Sequence, residues 1–292
     1  MSVVAVVATY RRPRELTRLL ASLAGIEHVV VCDNSGADTP LTAHWLTPKT
    51  NLGCGGGLRL AEEHAWKIGG DFTHLLVLDD DAVLKPGTVA QLIAALDRER
   101  ADVAYPLVVA DDGLVGWLPG LKDRAQHRLS RERTTPDEYR RRLGAEVADF
   151  TWAQGICLLA RREAVEAAGF HREDFWVRGE DMDFTLRLTA RGRGVFVPSI
   201  EVQHLPPPAA ESDPRAEYLR HAALVQNIAF LALQPHGAPV RGSIPGASLR
   251  FIRTWGRGAS ADLVRALWRG LRGEPAGGGT GRTFRSRFDE LQ

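Results

Sequence analysis

The stretch that decides the fold is FTHLLVLDDDAV at residues 72–83. Its apolar run, Leu75–Leu78, predicts a buried strand, and the three aspartates Asp79–Asp81 follow that strand directly. Adjacent carboxylates repel one another and lose hydration at the end of a buried strand, and an oxygen-preferring divalent cation relieves both costs. We therefore favour a metal site here, at the sheet edge where α/β folds bind ligands, over a solvated turn that caps a helix near Pro86.

Strand and helix patterns alternate on both sides of this stretch. Apolar runs predict strands at 3–8, 28–32, 72–78, 103–109, 152–159 and 194–197, the last broken by Pro198. Helical spacing of apolar residues predicts helices at 13–23, 58–68, 87–100, 161–168, 180–191 and 216–233. This alternation is typical of α/β folds, with a mixed, mainly parallel sheet and flanking helices. Residues 111–147 are more charged and predict a loop or a helix that covers the site.

Bulk composition narrows the classes of function. The chain has 292 residues, 44% hydrophobic composition and a net charge of +1, so nothing global favours nucleic acid as a partner. No apolar run approaches the length of a membrane span, and the apolar start lacks the basic leader of a signal peptide. Cys32, Cys54 and Cys157 are scattered, which favours reduced thiols and a cytoplasmic location.

The C-terminal part differs from the rest. Residues 241–292 hold ten arginines against two aspartates and two glutamates, with apolar residues between them, and Gly277–Gly279 predicts a flexible tail. A basic amphipathic helix of this kind either lies on the inner face of an anionic membrane or packs on its own protein with a solvated arginine face.

Three polar segments lie where the first two strands end and where a helix begins. Arg11 and Arg12 suit a diphosphate, or are simply solvated charges beside a proline. Asp33 suits a nucleobase N–H or a ribose hydroxyl, or forms an Asx-turn. The glycine-rich segment Asn51–Gly57 predicts a loop whose backbone approaches an anion at a helix N-terminus, or a plain connection.

A second acidic cluster opens the helix expected at 180–191. Glu180 and Asp181 fall in its first turn, where they either stabilise the helix dipole or supply a general base, and Asp183 is placed to pair with Arg187. His204 follows a strand, where it is either an ordinary satisfied histidine or the imidazole ligand of a metal site.

Seven of these segments stand in an order that resembles family 2 inverting glycosyltransferases of the GT-A fold, in the rhamnosyl- and galactofuranosyltransferase-like branch. They are ATYRRP (8–13), DNS (33–35), NLGCGGG (51–57), DDDA (79–82), GICLL (155–159), EDMDFTLR (180–187) and His204. The resemblance implies a Rossmann-like GT-A catalytic domain at 1–205 and a helical, arginine-rich extension at 206–292.

The resemblance also implies a role for each site residue. Asp181, with Glu180 beside it, would be the general base, and Mg²⁺ or Mn²⁺ would lie at Asp79, Asp81 and His204. Donor binding is implied for Thr9, Arg11, Arg12, Asp33, Asn51, Gly53, Gly56, Asp79 and Asp80. Trp152 and Trp176 would offer stacking surfaces for an acceptor sugar.

The implied reaction moves a sugar from a UDP- or dTDP-linked donor to a hydroxyl of a glycan, a lipid-linked glycan or a natural product, with inversion. Two other enzyme classes share some of these features. Asp79 also fits the nucleophile of haloacid dehalogenase-like phosphatases, but that signature normally follows the first strand. A nucleotidyltransferase usually has a basic glycine-rich loop after the first strand. An inactive nucleotide-sugar-binding protein is the non-enzymatic alternative, and the intact acidic clusters argue against it.

Overall fold

A mixed sheet with helices around it forms the body of the protein. The computed structural model describes residues 2–36, 41–42, 44–68, 70–123, 133–206 and 213–277. Its strands are β1 (Val3–Thr9), β2 (His28–Asp33), β3 (His44–Leu46), β4 (His74–Asp79), β5 (Ala82–Leu84), β6 (Val103–Ala110), β7 (Val115–Gly116), β8 (Gly120–Leu121), β9 (Ala148–Trp152), β10 (Cys157–Arg161) and β11 (Gly194–His204). Its α-helices are α1 (Pro13–Ser22), α2 (Gly53–Lys67), α3 (Thr88–Glu99), α4 (Pro136–Leu143), α5 (Arg162–Ala168), α6 (Glu180–Arg191), α7 (Pro214–Leu231), α8 (Ser243–Trp255) and α9 (Ser260–Leu271).

The strand order is β3-β2-β1-β4-β10-β6-β11-β9-β8, with β5 on β11 and β7 on β6. Strands β3, β2, β1 and β4 pair in parallel, as do β6 and β11, whereas β10 is antiparallel to both β4 and β6. The predicted mixed, mainly parallel α/β architecture is confirmed. Because the carboxyl ends of β1, β2, β4, β6 and β11 share one edge, their terminal polar residues meet there.

The glycine-rich loop predicted at Asn51–Gly57 is wrong, because α2 already begins at Gly53. Its glycines are buried, and a side chain on them would overlap the protein. A Cβ on Gly53 would lie 2.1 Å from the Trp176 carbonyl oxygen, and one on Gly55 would lie 2.3 Å from the Phe175 carbonyl oxygen. Helix propensity alone disfavours such a glycine run, but close packing of the helix start requires it.

The single strand predicted at 152–159 is also wrong, because the chain bends at 153–156 between β9 and β10. The two strands have different neighbours: β9 pairs with β8 and β11, and β10 pairs with β4 and β6. The bend is held by Thr185 of α6, whose Oγ1 accepts a hydrogen bond from the Ala153 N–H at 3.0 Å. Gly155 lies in this bend.

Pro198 does not end its strand as predicted. The ladder between β11 and β6 shifts register between Val197 and Glu201, so an irregularity absorbs the proline and the strand continues to His204. The short strands β3, β5, β7 and β8 have no clear sequence signal. Within the 111–147 segment, the described residues form β7, β8 and α4, and residues 124–132 lie outside the described part.

The C-terminal helices pack on the rest of the chain. Ile228, Phe230 and Leu231 of α7 share an apolar cluster with Phe175 and with residues of α6. The described helices include none that is long and apolar enough to cross a membrane. The predicted domain boundary at 205/206 stays a prediction. Gly277, the first residue of the predicted flexible tail, donates its N–H to the Asp174 carbonyl oxygen at 2.7 Å, and the tail from residue 278 onward lies outside the described residues.

Candidate active site

The predicted metal ligands come together at the shared strand edge. Asp79 ends β4, Asp81 follows in the turn to β5, and His204 ends β11, with one ligand atom from each lying within 4.8 Å of the others. The pairing of His204 with Ala82 places the histidine beside the aspartate turn, and its Nε2 lies 2.9 Å from Asp81 Oδ1. The extension of β11 through Pro198 therefore brings the third predicted ligand to the cluster.

The electrostatics of this cluster suit a cation. Burial and the neighbouring carboxylate of Asp81 raise the pKa of Asp79 to about 8. Burial opposes ionisation of Asp81, but the hydrogen bond and charge of His204 outweigh it and lower the pKa of that carboxyl. Two carboxylates and an imidazole form a donor set that fits Mg²⁺ or Mn²⁺. His204 Nδ1 is buried and has no hydrogen-bond partner among the described residues.

Asp80 joins the site to β1 and to the residue that follows the turn after it. Its Oδ2 accepts a hydrogen bond from Thr9 Oγ1 at 2.7 Å, and its Oδ1 lies 3.0 Å from the Arg12 guanidinium. The same Arg12 nitrogen lies 3.0 Å from Asp81 Oδ2. Burial raises the pKa of Asp80 to about 6 against the opposing charge of Arg12. Arg12 therefore stabilises the aspartate turn, and its side chain remains about one-third exposed to solvent.

Asp181 lies in the first turn of α6, close to Asp79. Its Oδ2 accepts a hydrogen bond from the Gly155 N–H at 3.2 Å, and its Oδ1 accepts one from the Met182 N–H at 2.7 Å. Burial raises the pKa of Asp181, although both backbone donors oppose the shift. A Cβ on Gly155 would lie 3.5 Å from Asp181 Cβ and 3.7 Å from Asp79 Oδ1. The bend at Gly155 thus brings the two acidic clusters together.

Glu180 faces the interior. Burial and then the charge of Asp181 raise the pKa of Glu180 to about 7, and its carboxylate accepts a hydrogen bond from the thiol of Cys54 in α2. Its Oε2 is buried without a hydrogen-bond partner among the described residues. The predicted pair of Asp183 with Arg187 is confirmed, with Arg187 Nε 2.8 Å from Asp183 Oδ2. That pair is structural, because Arg187 also donates to the carbonyl oxygen of Ala168.

The predicted donor-binding residues surround the start of α2. Asp33 ends β2 beside Thr9 and forms an Asx-turn, one of the two roles considered for it above, in which its Oδ1 accepts hydrogen bonds from the backbone N–H and the hydroxyl of Ser35. Asn51 Oδ1 caps the helix start by accepting from the Gly53 N–H at 2.8 Å. Gly56 is buried in the first turns of the helix.

The remaining predicted residues lie less directly at the site. Arg11 is exposed, with φ 54°, and its guanidinium stands 5.1 Å from the Tyr10 ring centroid. Trp176 is buried between Gly53 and Leu219, and Trp152 is half-buried beside Gly120. Their acceptor-stacking roles remain predictions.

Sequence reasoning missed two residues that build the site. Asn34 links β2 to α2, because its Nδ2 donates to the Gly53 carbonyl at 3.1 Å and its Oδ1 accepts from the Leu52 N–H at 2.9 Å. Trp117, in a left-handed backbone conformation with φ 48°, packs edge-on against His204 with ring centroids 4.2 Å apart. Asn34 belonged to a quoted motif, whereas Trp117 lay in a segment without a readable pattern.

Comparison with known proteins shows the family to which the chain belongs. A family model described as "Glycosyl transferase family group 2" matches residues 74–237, which include both acidic clusters and His204. The match covers more than half of the chain, so the chain belongs to glycosyl transferase family group 2 and the protein is a glycosyltransferase. This membership overturns the phosphatase and nucleotidyltransferase alternatives.

Particular relatives agree with this family. Galactofuranosyltransferase GlfT1 of Mycobacterium tuberculosis (strain ATCC 25618 / H37Rv) is 28% identical over 207 residues, a match that spans 65% of this chain and 66% of that protein. S. aureus TarS residues 1–349 in complex with UDP-GlcNAc aligns with a TM-score of 0.58 at 16% identity over 94% of this chain and 82% of that one. GalNAc-T7 with UDP, GalNAc and Mn²⁺ aligns with a TM-score of 0.50 at 16% identity over 87% of this chain and 54% of that one. At these identities, the structural likenesses support the fold alone.

Proposed function

We propose that the protein transfers a sugar from a nucleoside-diphosphate sugar to an acceptor hydroxyl with inversion of configuration, and that Asp181 is the general base. One observation carries the proposal: the bend at Gly155 places Asp181 beside Asp79 of the candidate metal cluster. The reaction requires a base that activates the hydroxyl attacking the anomeric carbon. It also requires, close to that base, a group that binds the departing diphosphate.

The residues of this chain have separable tasks in that reaction. Asp79, Asp81 and His204 would hold Mg²⁺ or Mn²⁺, which when bound neutralises the charge that develops on the departing diphosphate. Asp181 Oδ2 takes the proton of the acceptor hydroxyl, while the backbone N–H groups of Gly155 and Met182 fix the carboxylate in place.

For the donor, we propose a UDP- or dTDP-linked sugar. Asp33, at the end of β2, would contact the nucleobase, since only its Oδ1 is engaged in the turn with Ser35. Arg12 would contact the diphosphate, with Thr9, Asn51 and the start of α2 around it. The UDP-GlcNAc bound by TarS and the UDP bound by GalNAc-T7 support uridine as the first base to test.

The acceptor is proposed to be a hydroxyl of a glycan, a lipid-linked glycan or a natural product. The name of the GlfT1 relative makes a galactofuranosyl donor the first to test with these acceptor classes. We also propose a cytoplasmic protein that contacts the inner face of the membrane through its C-terminal extension.

A thermal-shift experiment tests the donor and metal site. UDP, dTDP, GDP and ADP are each added with and without Mn²⁺ to the wild type, to Asp81→Ala and to the control Asp71→Ala, whose aspartate is exposed and lies outside the site. We expect one diphosphate to stabilise the wild type and the control only with Mn²⁺, and Asp81→Ala to lose the effect. No metal-dependent shift with any nucleotide would contradict the proposal.

Turnover separates the active enzyme from an inactive donor-binding protein. The stabilising nucleotide is used as its sugar conjugate with a panel of glycan acceptors, and the anomeric configuration of the product is read by NMR. We expect the product to have the configuration opposite to that of the donor. Tight donor binding with no transfer to any acceptor would support the binding protein, and retained configuration would remove Asp181 from the base role.

A further inference from the structure

Exposed apolar side chains are concentrated in the C-terminal extension. The large exposed apolar residues of the described chain are Leu41, Leu233, Leu249, Val264, Trp268 and Leu271. Three of them lie on α9, where they are 64%, 55% and 52% exposed for Val264, Trp268 and Leu271. They follow the spacing i, i+4 and i+7, so they form one stripe, which we call the outer face of α9.

A neighbouring side of α9 is already packed. Leu263, Ala266 and Leu267 belong to an apolar cluster shared with α7. Gly270 fixes the helix against α7, because a Cβ there would lie 2.2 Å from the Gln226 carbonyl oxygen. Rotation of α9 cannot bury the outer face without losing this contact. Because α9 is apolar on two sides and only one of them packs on α7, the other apolar side is available to bind a partner.

Basic groups border the outer face. Arg265 is 58% exposed, and the guanidinium of Arg272 lies 4.5 Å from the Trp268 ring centroid. Asp262, the one acidic residue of α9, lies on another side of the helix and bonds to the Tyr218 hydroxyl at 2.5 Å, while also lying 3.3 Å from Arg265. A stripe of Trp, Leu and Val bordered by arginine is typical of helices that lie in a bilayer interface.

We propose that the outer face of α9 docks on an anionic lipid bilayer. Val264, Trp268 and Leu271 enter the headgroup region, and Arg265 and Arg272 contact lipid phosphates. The outer face of α9 would thereby supply the membrane contact proposed above for the C-terminal extension. Its exposure and charge carry this proposal, which does not depend on the transfer chemistry.

Charge distinguishes this occupant from a second copy of the chain. A symmetric contact between two outer faces would bring the arginines of both copies together, and like charges at an interface disfavour the complex. A surface of anionic phosphates instead complements the same arginines, and the indole of Trp268 suits a boundary that is apolar on one side and wet on the other.

Vesicle binding of the full chain tests the apolar part of the face. The wild type, the variant Val264→Ser/Trp268→Ser/Leu271→Ser and the control Leu233→Ser are incubated with phosphatidylcholine vesicles that contain or lack phosphatidylglycerol. Leu233 is 52% exposed but lies outside α9. We expect the triple variant to bind anionic vesicles at least about tenfold more weakly, with unchanged binding of the control.

A second pair of variants tests the charges. Arg265→Glu/Arg272→Glu is compared with Arg98→Glu/Arg133→Glu, whose arginines are 58% and 59% exposed at other sites. Both pairs change the net charge equally, so a loss of binding confined to the α9 pair identifies the surface. We expect about a tenfold or greater loss for the α9 pair, and weaker binding of the wild type at high salt.

The outcomes separate the possibilities. No binding to anionic vesicles by the wild type would overturn the inference, as would equal binding of the α9 variants. Because all replaced side chains are exposed, their melting temperatures should match the wild type, which excludes misfolding. A concentration-dependent dimer that Trp268→Ser abolishes would assign the face to a second copy and overturn lipid docking. None of these assays uses a donor or acceptor, so failure leaves the proposed transfer unaffected.

Discussion

Asp181→Asn gives the sharpest test of the proposed base. The carboxylate is held by two backbone donors, the Gly155 N–H at 3.2 Å and the Met182 N–H at 2.7 Å. Asparagine keeps one acceptor oxygen and presents an NH₂ group to the other donor, so one hydrogen bond is lost, at a cost of about 1 kcal/mol. Loss of a partly buried charge offsets part of this cost. The variant should therefore fold, with a melting temperature within a few degrees of the wild type.

The catalytic cost should be much larger than the structural one. Asparagine cannot accept the acceptor proton, so kcat should fall about 10²- to 10⁴-fold. Binding of the nucleoside diphosphate with Mn²⁺ should stay within about threefold of the wild type, because Asp79, Asp81 and His204 are unchanged. Initial rates with a radiolabelled donor, together with calorimetric binding of the nucleotide, measure the two quantities separately.

The neighbouring carboxyl provides the matched control. Glu180→Gln changes an acidic side chain one residue away, at a buried position that bonds to the Cys54 thiol. If Asp181 is the base, the Glu180 variant should keep most of its turnover. Turnover of Asp181→Asn within tenfold of the wild type would refute the assignment. A larger loss for Glu180→Gln than for Asp181→Asn would transfer the role to Glu180.

Three further outcomes follow from the structure. Because burial raises the pKa of Glu180 to about 7, ionisation of this carboxyl costs more in the folded state, and the free energy of unfolding falls as pH rises from about 4 towards 7. Glu180→Gln should therefore raise the melting temperature at pH 8 and not at pH 4. Equal shifts at both pH values would contradict this. His204→Ala should weaken Mn²⁺ binding about tenfold or more in a metal titration, and an unchanged titration would count against ligation. Gly53→Ala should cost at least about 3 kcal/mol in urea unfolding, because φ is +72° and the new Cβ would lie only 2.1 Å from the Trp176 carbonyl oxygen. Gly25→Ala, with φ +95° and no heavy atom within 4 Å, should cost about 1–2 kcal/mol; equal costs would exclude the packing explanation.

The parts of the site that carry local signals were predictable from sequence. The site at the three aspartates is recognisable from sequence, because the apolar strand and the acidic residues at its carboxyl end lie within a few residues of one another. The helix at Glu180–Arg191 was placed at its observed bounds, since its acidic first turn and the following glycine are local features too. The resemblance supplied the roles, and the family match confirms the class of enzyme.

The parts that depend on distant neighbours were not predictable from local patterns. The bend between β9 and β10 looked like a continuous strand, because each half is apolar and only pairing with separate partners divides them. Glycines at the start of α2 looked like an anion-binding loop, because their close neighbour, the segment at 175–176, is more than a hundred residues away in sequence. Similarly, Pro198 ends a strand by local rules, but the irregular ladder with β6 overrides them.

The segment before Asp181 is held by contacts from three helices, one of which belongs to the C-terminal extension. From α2, the buried Glu62 carboxylate accepts the backbone N–H of His171 at 2.8 Å and contacts its ring nitrogen at 2.7 Å. From α6, the Phe184 ring stacks on the His171 ring with centroids 4.0 Å apart. From α7, Asn227 Nδ2 donates to the Arg178 carbonyl oxygen at 2.6 Å. Arg178 and the following glycine both adopt left-handed conformations, with φ 62° and 103°, directly before α6. Such a turn persists only where its surroundings determine it, so α7 is part of the structure that positions Asp181, the proposed base.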